Sequence, residues 1–285
     1  MLKLYSAGNS ICTQKVFITL AEKGLAYDIH NIDLFRNEQF EPWYLKIHPK
    51  GVVPALDHDG RIVIESSLIC EYLDDVFPSP RLVPADPYAR ARMRLWSKAV
   101  DEGLFAATRE LSFSAMFRDK MRHMTEEQRE GRFRNVGDPV KRAHFMSTYA
   151  EGVESPYVFE GIAAYETAFG KMEKDLGRGL LAGRSRASPD AQPWLVGPDM
   201  TLADINMMPF VARLSFLELL DVWTAERPAV QAWWARVQSL ASFKAAIPAK
   251  MTDVDFATMK TSGARIRARV AERRADYLRL PKAAA

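Results

Sequence analysis

The stretch PKGVVPALDHDGRIVIESSLICEYLDDVF, residues 49–77, decides the fold. Val53-Pro54-Ala55-Leu56 and Arg61-Ile62-Val63-Ile64 flank His58-Asp59-Gly60, and Asp-Gly between two apolar runs signals a β-hairpin. Ser66 or Ser67 can then cap a helix that carries Leu68, Ile69, Tyr72, Leu73 and Val76 inward. Upstream, Leu2-Lys3-Leu4-Tyr5 alternates as a short strand. Residues 13–23 place Val16, Phe17, Leu20 and Ala21 on one helical face and stop at Gly24, and Tyr27 to Ile32 reads as a second strand. The order strand, helix, strand, loop, hairpin, helix predicts an α/β domain with a mixed four-stranded sheet over residues 1–77.

Downstream the pattern changes. Residues 78–86 form a Pro-punctuated linker, and Asp86-Pro87 supplies an N-cap and first-turn proline for a helix over 87–110. From there to residue 285 the periodicity is helical, which makes the second part all-α. Residues 111–160 are less regular and rich in Met, Phe, Arg and Glu. A Gly/Ser/Pro-rich loop from Gly183 to Pro193 separates a helix around 157–176 from Trp194-Leu195-Val196-Gly197. Thr201 with Asp204 at the third helical position makes an acidic capping box, with Met200 and Ile205 as its hydrophobic staple. Trp194, Trp233 and Trp234 read as core, and His123 and His144 as surface residues.

Composition narrows the function classes. The chain has 285 residues, 48% hydrophobic and 26% charged, with a net charge of +3. Residues 260–285 hold eight basic side chains against Glu272 and Asp276, leaving the first 259 residues net acidic. A basic terminal helix of this kind is ordinarily a solvated face, so no nucleic-acid partner is expected. The helix should extend over 252–285 with Ile266, Val270, Tyr277 and Leu280 near one face. Two cysteines, Cys12 and Cys70, suit a reducing compartment rather than a disulfide scaffold. There is no long apolar window and no metal-ligand spacing among the five His. A cytoplasmic protein without a membrane partner or metal is expected.

Five motifs in order resemble the cytosolic glutathione transferases: Ser10-x-Cys12-x-x-Lys15-Val16, Pro49 to Leu56, Glu65-Ser66 before Ile69-x-x-Tyr72-Leu73, Thr201-Leu202-Ala203-Asp204, and Pro228-x-x-x-x-Trp233. Within that family, Glu65 to Pro78, Pro84-Ala85-Asp86-Pro87, Val100-Asp101-Glu102 and Asp138-Pro139-Val140 are most similar to the bacterial glutathione-dependent β-aryl etherases of the lignin-degrading type. Ser10 stands where theta- and zeta-type members keep their serine, whereas the etherase-like pattern has its polar residues nearer Cys12 and Thr13. The resemblance implies a thioredoxin-like glutathione-binding domain (1–77), a linker (78–86) and a helical-bundle substrate domain (87–285). It also implies glutathione as cosubstrate, a hydrophobic or aromatic small-molecule acceptor, a two-fold homodimer, and a cis Val53-Pro54 peptide bond.

The implied chemistry is thiol activation. Lowering a thiol pKa by about two units takes roughly 2.7 kcal/mol of preference for the anion. A hydrogen bond to a charged group supplies about 1.5–3 kcal/mol and a helix N-terminus roughly 0.3–1 kcal/mol, so one hydroxyl at a helix head suffices. Ser10 is the first choice for that donor, with Thr13 and the Asn9 amide as alternatives; a plain N-cap is the bland reading of Ser10. Cys12 could instead form a mixed disulfide with glutathione, or be a small buried side chain; Cys70 reads as packing. By resemblance, the Val53 backbone beside Pro54 pairs with the cysteinyl amide, Ser66 and its helix hold the γ-glutamyl carboxylate, Glu65 meets the γ-glutamyl ammonium, and Gln39 and Lys50 reach the glycyl end. The acceptor pocket would lie between the domains, lined by Phe105, Phe113, Met116 and Phe117. β-Aryl ether cleavage is the preferred activity. The alternatives are theta-like conjugation or dehalogenation of small electrophiles, and a non-catalytic glutathione-binding module.

Overall fold

Asp59 and Gly60 form the expected hairpin turn. In the computed structural model both have positive φ, 51° and 82°, as a two-residue type I′ turn requires, and Gly60 N–H donates to Asp57 Oδ1 at 2.7 Å. The structure describes residues 1–182 and 193–281, so most of the Gly183 to Pro193 loop lies outside the described residues. Four strands, β1 (Leu2–Ser6), β2 (Asp28–Asn31), β3 (Ala55–His58) and β4 (Arg61–Ile64), make one sheet in the order β2-β1-β3-β4. β1 runs parallel to β2 and antiparallel to β3, and β3 is antiparallel to β4. The sheet is mixed and four-stranded, as the sequence predicts.

Helices follow as α1 (Ile11–Glu22), α2 (Pro42–Leu45), α3 (Ser66–Val76), α4 (Pro87–Ala99), α5 (Phe105–Ser112), α6 (Arg118–Arg122), α7 (Glu126–Asn135), α8 (Pro139–Glu151), α9 (Pro156–Ala182), α10 (Leu202–Phe216), α11 (Asp221–Thr224), α12 (Pro228–Ser239), α13 (Ala241–Ala246) and α14 (Asp253–Arg279). A turn of π-helix, Val100–Leu104, interrupts the single 87–110 helix that the periodicity predicts, and a second, Phe113–Phe117, follows α5. Asp86 caps α4 as expected, accepting from Ala89 N–H at 2.7 Å.

The chain divides into two compact units, Met1–Lys98 with Asp175–Pro209 and Ala232–Thr252, and Ala99–Lys174 with Phe210–Gln231 and the chain from Asp253 on. In the first, α1 is buried on nearly every face, Ile18, Thr13 and Lys15 included, while Ala21 is exposed. On α3 the inward stripe is Ile69, Cys70, Leu73 and Asp74. Leu68 and Val76 are exposed, a correction to the expected face: Leu68 lies about 100° around the helix from Ile69, and Val76, although on the Ile69 side, is the last residue of α3. The linker is pinned. Asp74 accepts from Leu82 and Val83 N–H at 2.8 and 3.0 Å and pairs with buried Lys23 at 2.7 Å. Asp204 organises the helical part of this unit, accepting from Leu195 N–H, Thr201 N–H and Trp233 Nε1 at 3.0, 3.1 and 3.0 Å. Burial pushes its carboxyl up. Trp233 and Trp234 are core, and half-buried Trp194 lies under the Arg236 guanidinium.

The second unit is built on Tyr165, Phe169 and Trp223, with ring centroids 5.5–6.4 Å apart. Here the basic side chains of α14 are ion-paired, while Lys260, Arg265, Arg267 and Arg269 stay exposed as the solvated-face reading expects. Arg265 pairs with Asp119, Arg267 with Asp221, Arg269 and Arg273 with Glu154, Arg274 with Glu166 and Lys260 with Glu218. Val270 is buried but Leu280 is exposed, so the apolar face ends short of the expected position. Gly263 marks the closest approach, since a Cβ there would sit 1.8 Å from the Leu217 carbonyl oxygen. His144 is also less exposed than expected: its ring stacks on Tyr157 at 3.6 Å and its Nδ1 lies 3.8 Å from buried Glu110.

Candidate active site

The sheet register gathers the site. Tyr5 pairs with Ala55 and Ala55 with Ile64. The segments that continue from those positions, Ser6 to Ser10, Val53-Pro54 and Glu65-Ser66, therefore emerge at one end of the sheet. Val53-Pro54 is cis, as the resemblance implies.

At the head of α1, Ser10 occupies the N-cap with extended backbone, and its Oγ accepts from Thr13 N–H at 3.4 Å. That is a long bond, and it leaves the serine proton available to another acceptor. Ser10, Asn9 and Cys12 are half-buried, whereas Thr13 is fully buried. Thr13 Oγ1 has no hydrogen-bond partner among the described residues. The helix N-terminus adds its own positive field to this corner.

Across from it, Glu65 precedes α3 with φ of 68°, a left-handed conformation uncommon for a residue with a side chain. Its carboxylate takes a 2.5 Å bond from Lys50 Nζ, and that hydrogen bond and charge hold its carboxyl below the usual range. Ser66 is buried in the first turn of α3. Gly51, with φ of 58°, lets the 49–52 loop close on Phe40: a Cβ would meet the Phe40 ring at 2.7 Å and the Gln39 carbonyl at 3.0 Å. Tyr44 Oη donates to the Val52 carbonyl at 2.7 Å.

In the stretch from Ser6 to His48, four buried polar atoms lack a hydrogen-bond partner among the described residues: Ser6 Oγ, Thr13 Oγ1, Gln39 Oε1 and His48 Nδ1. Buried polar atoms are nearly always satisfied. Four of them in the segments around one sheet end fit a site shaped for a polar ligand. Burial pushes His48 down, toward the neutral imidazole, against the pull of Glu65.

Comparison with known proteins agrees. Residues 9–76 match the family model "Glutathione S-transferase, N-terminal domain" and residues 160–241 match "Glutathione S-transferase, C-terminal domain". The solved beta-etherase LigF from Sphingobium sp. strain SYK-6 superposes with a TM-score of 0.72 at 30% identity, over 86% of this chain and 98% of that one. The chain belongs to the glutathione S-transferase family. In sequence, Protein LigF of Sphingobium sp. (strain NBRC 103272 / SYK-6) is 52% identical over 103 residues, 35% of this chain and 40% of that protein. The maleylacetoacetate isomerase of Mus musculus is 40% identical over 103 residues, 35% of this chain and 48% of that protein. The chain thus spans less than half the length of these curated relatives. Glutathione transferase F7 from Populus trichocarpa shares the fold, at a TM-score of 0.65 and 22% identity over 88% of this chain and 100% of that one.

In this chain the first unit holds Asn9, Ser10, Cys12, Thr13, Gln39, Lys50, Val53, Pro54, Glu65 and Ser66. The residues expected to line an acceptor pocket belong to the second. Phe113 and Met116 are buried there, with Phe113 against the Phe145 ring at 5.2 Å, and Phe105 and Phe117 are half-buried. Among the described residues no helix is long and apolar enough to cross a membrane, and no group of three His, Cys, Asp or Glu could hold a metal. Sequence reasoning passed over Ser6, Lys15 and His48. His48 stands immediately before Pro49 of a quoted motif, and Lys15 within another; neither signal says that the side chain is buried.

Proposed function

We propose that this chain is a glutathione-dependent enzyme that binds the tripeptide along the sheet end and directs its thiolate at a hydrophobic aromatic electrophile, with β-aryl ether cleavage as the activity. Thiolate attack on carbon would displace a phenolate, giving a glutathione thioether and, after protonation, a free phenol. The observation that carries the glutathione part is the set of buried Ser6, Thr13, Gln39 and His48 atoms, around the Ser10 and Glu65-Ser66 corners, that have no hydrogen-bond partner among the described residues. The etherase part rests on the likeness to the beta-etherase LigF.

Each residue then has a task. Ser10 donates to the sulfur, because its proton is uncommitted and Thr13 is too buried to reach a solvent-facing thiol. Cys12, half-buried in the first turn, is the rival centre for a mixed disulfide. Val53 offers backbone pairing to the cysteinyl amide, and Ser66 with the α3 N-terminus receives the γ-glutamyl carboxylate. Lys50 stands on Glu65 where the γ-glutamyl ammonium would bind. Both side chains are substantially exposed, so the exchange costs little and releases Lys50 toward the glycyl carboxylate beside Gln39. The π-helical turn Phe113–Phe117 supports an acceptor site at Phe105, Phe113, Met116 and Phe117, since such turns recur at functional sites. A homodimer is part of the reading, supported by exposed Leu68, Val76, Tyr88 and Leu95 on α3 and α4, as is a cytoplasmic location.

The test is phenol release from a guaiacyl β-aryl ether with and without glutathione. Glutathione-dependent release is expected; its absence removes the etherase claim. Conjugation of small halogenated electrophiles would then favour the theta-like alternative. Retention on immobilised glutathione with no turnover of any electrophile, and no change on Ser10→Ala, would leave a binding module.

A further inference from the structure

Lys15 has no task in that arrangement, yet its burial calls for one. It is fully buried on α1, as are the Val16, Phe17 and Ile18 that follow it. A Leu or Met would pack such a position without the penalty of enclosing an ammonium. Its Nζ donates to Ser67 Oγ at 2.9 Å, joining residues 52 apart in sequence. Ser67 is the second residue of α3, beside Ser66, so the bond ties the first turn of α3 to α1. The Lys15 charge also reaches the Glu65 carboxylate. One rigid helix therefore carries the thiol-activating head at Ser10 and a buried positive charge at the γ-glutamyl corner.

We propose that Lys15 is a positioning residue for the γ-glutamyl end of the thiol substrate: through Ser67 it holds the α3 N-terminus in place, and its charge strengthens that terminus toward a carboxylate. The inference rests on the glutathione reading and deepens it. It assigns Lys15 to discrimination between γ-glutamyl thiols and thiols that lack that group, not to activation of the sulfur.

Calorimetric titration of the full chain with S-hexylglutathione and with S-hexylcysteinylglycine, which lacks the γ-glutamyl group, tests it. Lys15→Met should weaken S-hexylglutathione by about ten- to a hundredfold, the range for losing a charge-assisted contact. Affinity for S-hexylcysteinylglycine should change by less than about twofold, and Lys15→Arg should recover most of the loss by keeping the charge. If Lys15→Met fails to fold by circular dichroism, Ser67→Ala carries the test, with the same selective loss expected at smaller size. Equal weakening of both ligands would reduce Lys15 to general packing, and no weakening of either would also overturn the inference. Failure of the unaltered chain to bind S-hexylglutathione would instead remove the glutathione reading, and this inference with it.

Discussion

The sheet end around Ser10 and Glu65 and the terminal helix α14 treat polar groups in opposite ways. Along α14, Lys260, Arg265, Arg267, Arg269, Arg273 and Arg274 each pair with an acidic side chain of the same unit. At the sheet end, Thr13, Gln39 and His48 bury polar atoms with no partner among the described residues, and Glu65 holds a strained backbone. The first pattern belongs to an element whose work is to stay docked. The second suits a surface kept ready for something outside the chain.

The comparison breaks most visibly at Gly263. Its missing side chain lets α14 approach Leu217, where a Cβ would lie 1.8 Å from a backbone oxygen. Gly263→Ala should cost about 3 kcal/mol or more, since backbone cannot step aside as a side chain can. A thermal melting midpoint shifted by less than about 2 °C would mean that the helix is not docked as described. At the sheet end, Ser10→Ala should leave melting nearly unchanged while kcat/KM for glutathione-dependent turnover falls by about ten- to a hundredfold. Parallel losses of stability and activity would make Ser10 a cap and little more.

Smaller effects sharpen the contrast. Glu65→Gln should raise the glutathione KM several-fold with little change in kcat, because the contact is made equally to substrate and transition state. Glu65 is held below the usual carboxylate range by the Lys50 hydrogen bond. Its stabilising share is therefore complete above about 4.3, the ordinary Glu value, and is lost progressively as pH falls from there through the lower folded value. A melting profile that already declines near pH 6 on account of Glu65, judged against Glu65→Gln, would contradict this.

Smallest are the exposed α14 pairs. Glu154 and Asp221 are likewise held low by hydrogen bonds from Arg269 and Arg267. Their contribution is complete above the ordinary carboxylate pKa and is lost as acid carries the pH through the lower folded value. Glu154→Gln should change melting only slightly, and about 1 M salt should erase the difference.

What was legible in the sequence follows the range of the interaction. Asp59-Gly60, Asp86-Pro87 and Thr201 with Asp204 act over two or three residues, and each stands where expected. The residues proposed to bind glutathione sit in ordered short motifs, and that is what singles them out in the sequence. Longer-range facts were not legible. Leu68 turns outward because Ile69 and Leu73 fix the inner stripe of α3, a choice that composition leaves open, and Val76 is exposed at the end of that helix. Lys15 looks like a surface lysine until α3 closes over it. The π-helical turn at Val100–Leu104 inserts an extra residue into a helical repeat that reads as continuous. His144 reads as a surface residue because Glu110, 3.8 Å from its ring, lies on a different helix.

The central claim is that Ser10 stabilises a glutathione thiolate at the head of α1, and titration of thiolate ultraviolet absorbance on the bound tripeptide tests it most directly. The unaltered chain should lower the thiol pKa by about two units from an ordinary thiol value near 8.5. Ser10→Ala should return most of that shift while Cys12→Ser leaves it in place. A lowered pKa that survives Ser10→Ala and vanishes in Cys12→Ser would contradict the account.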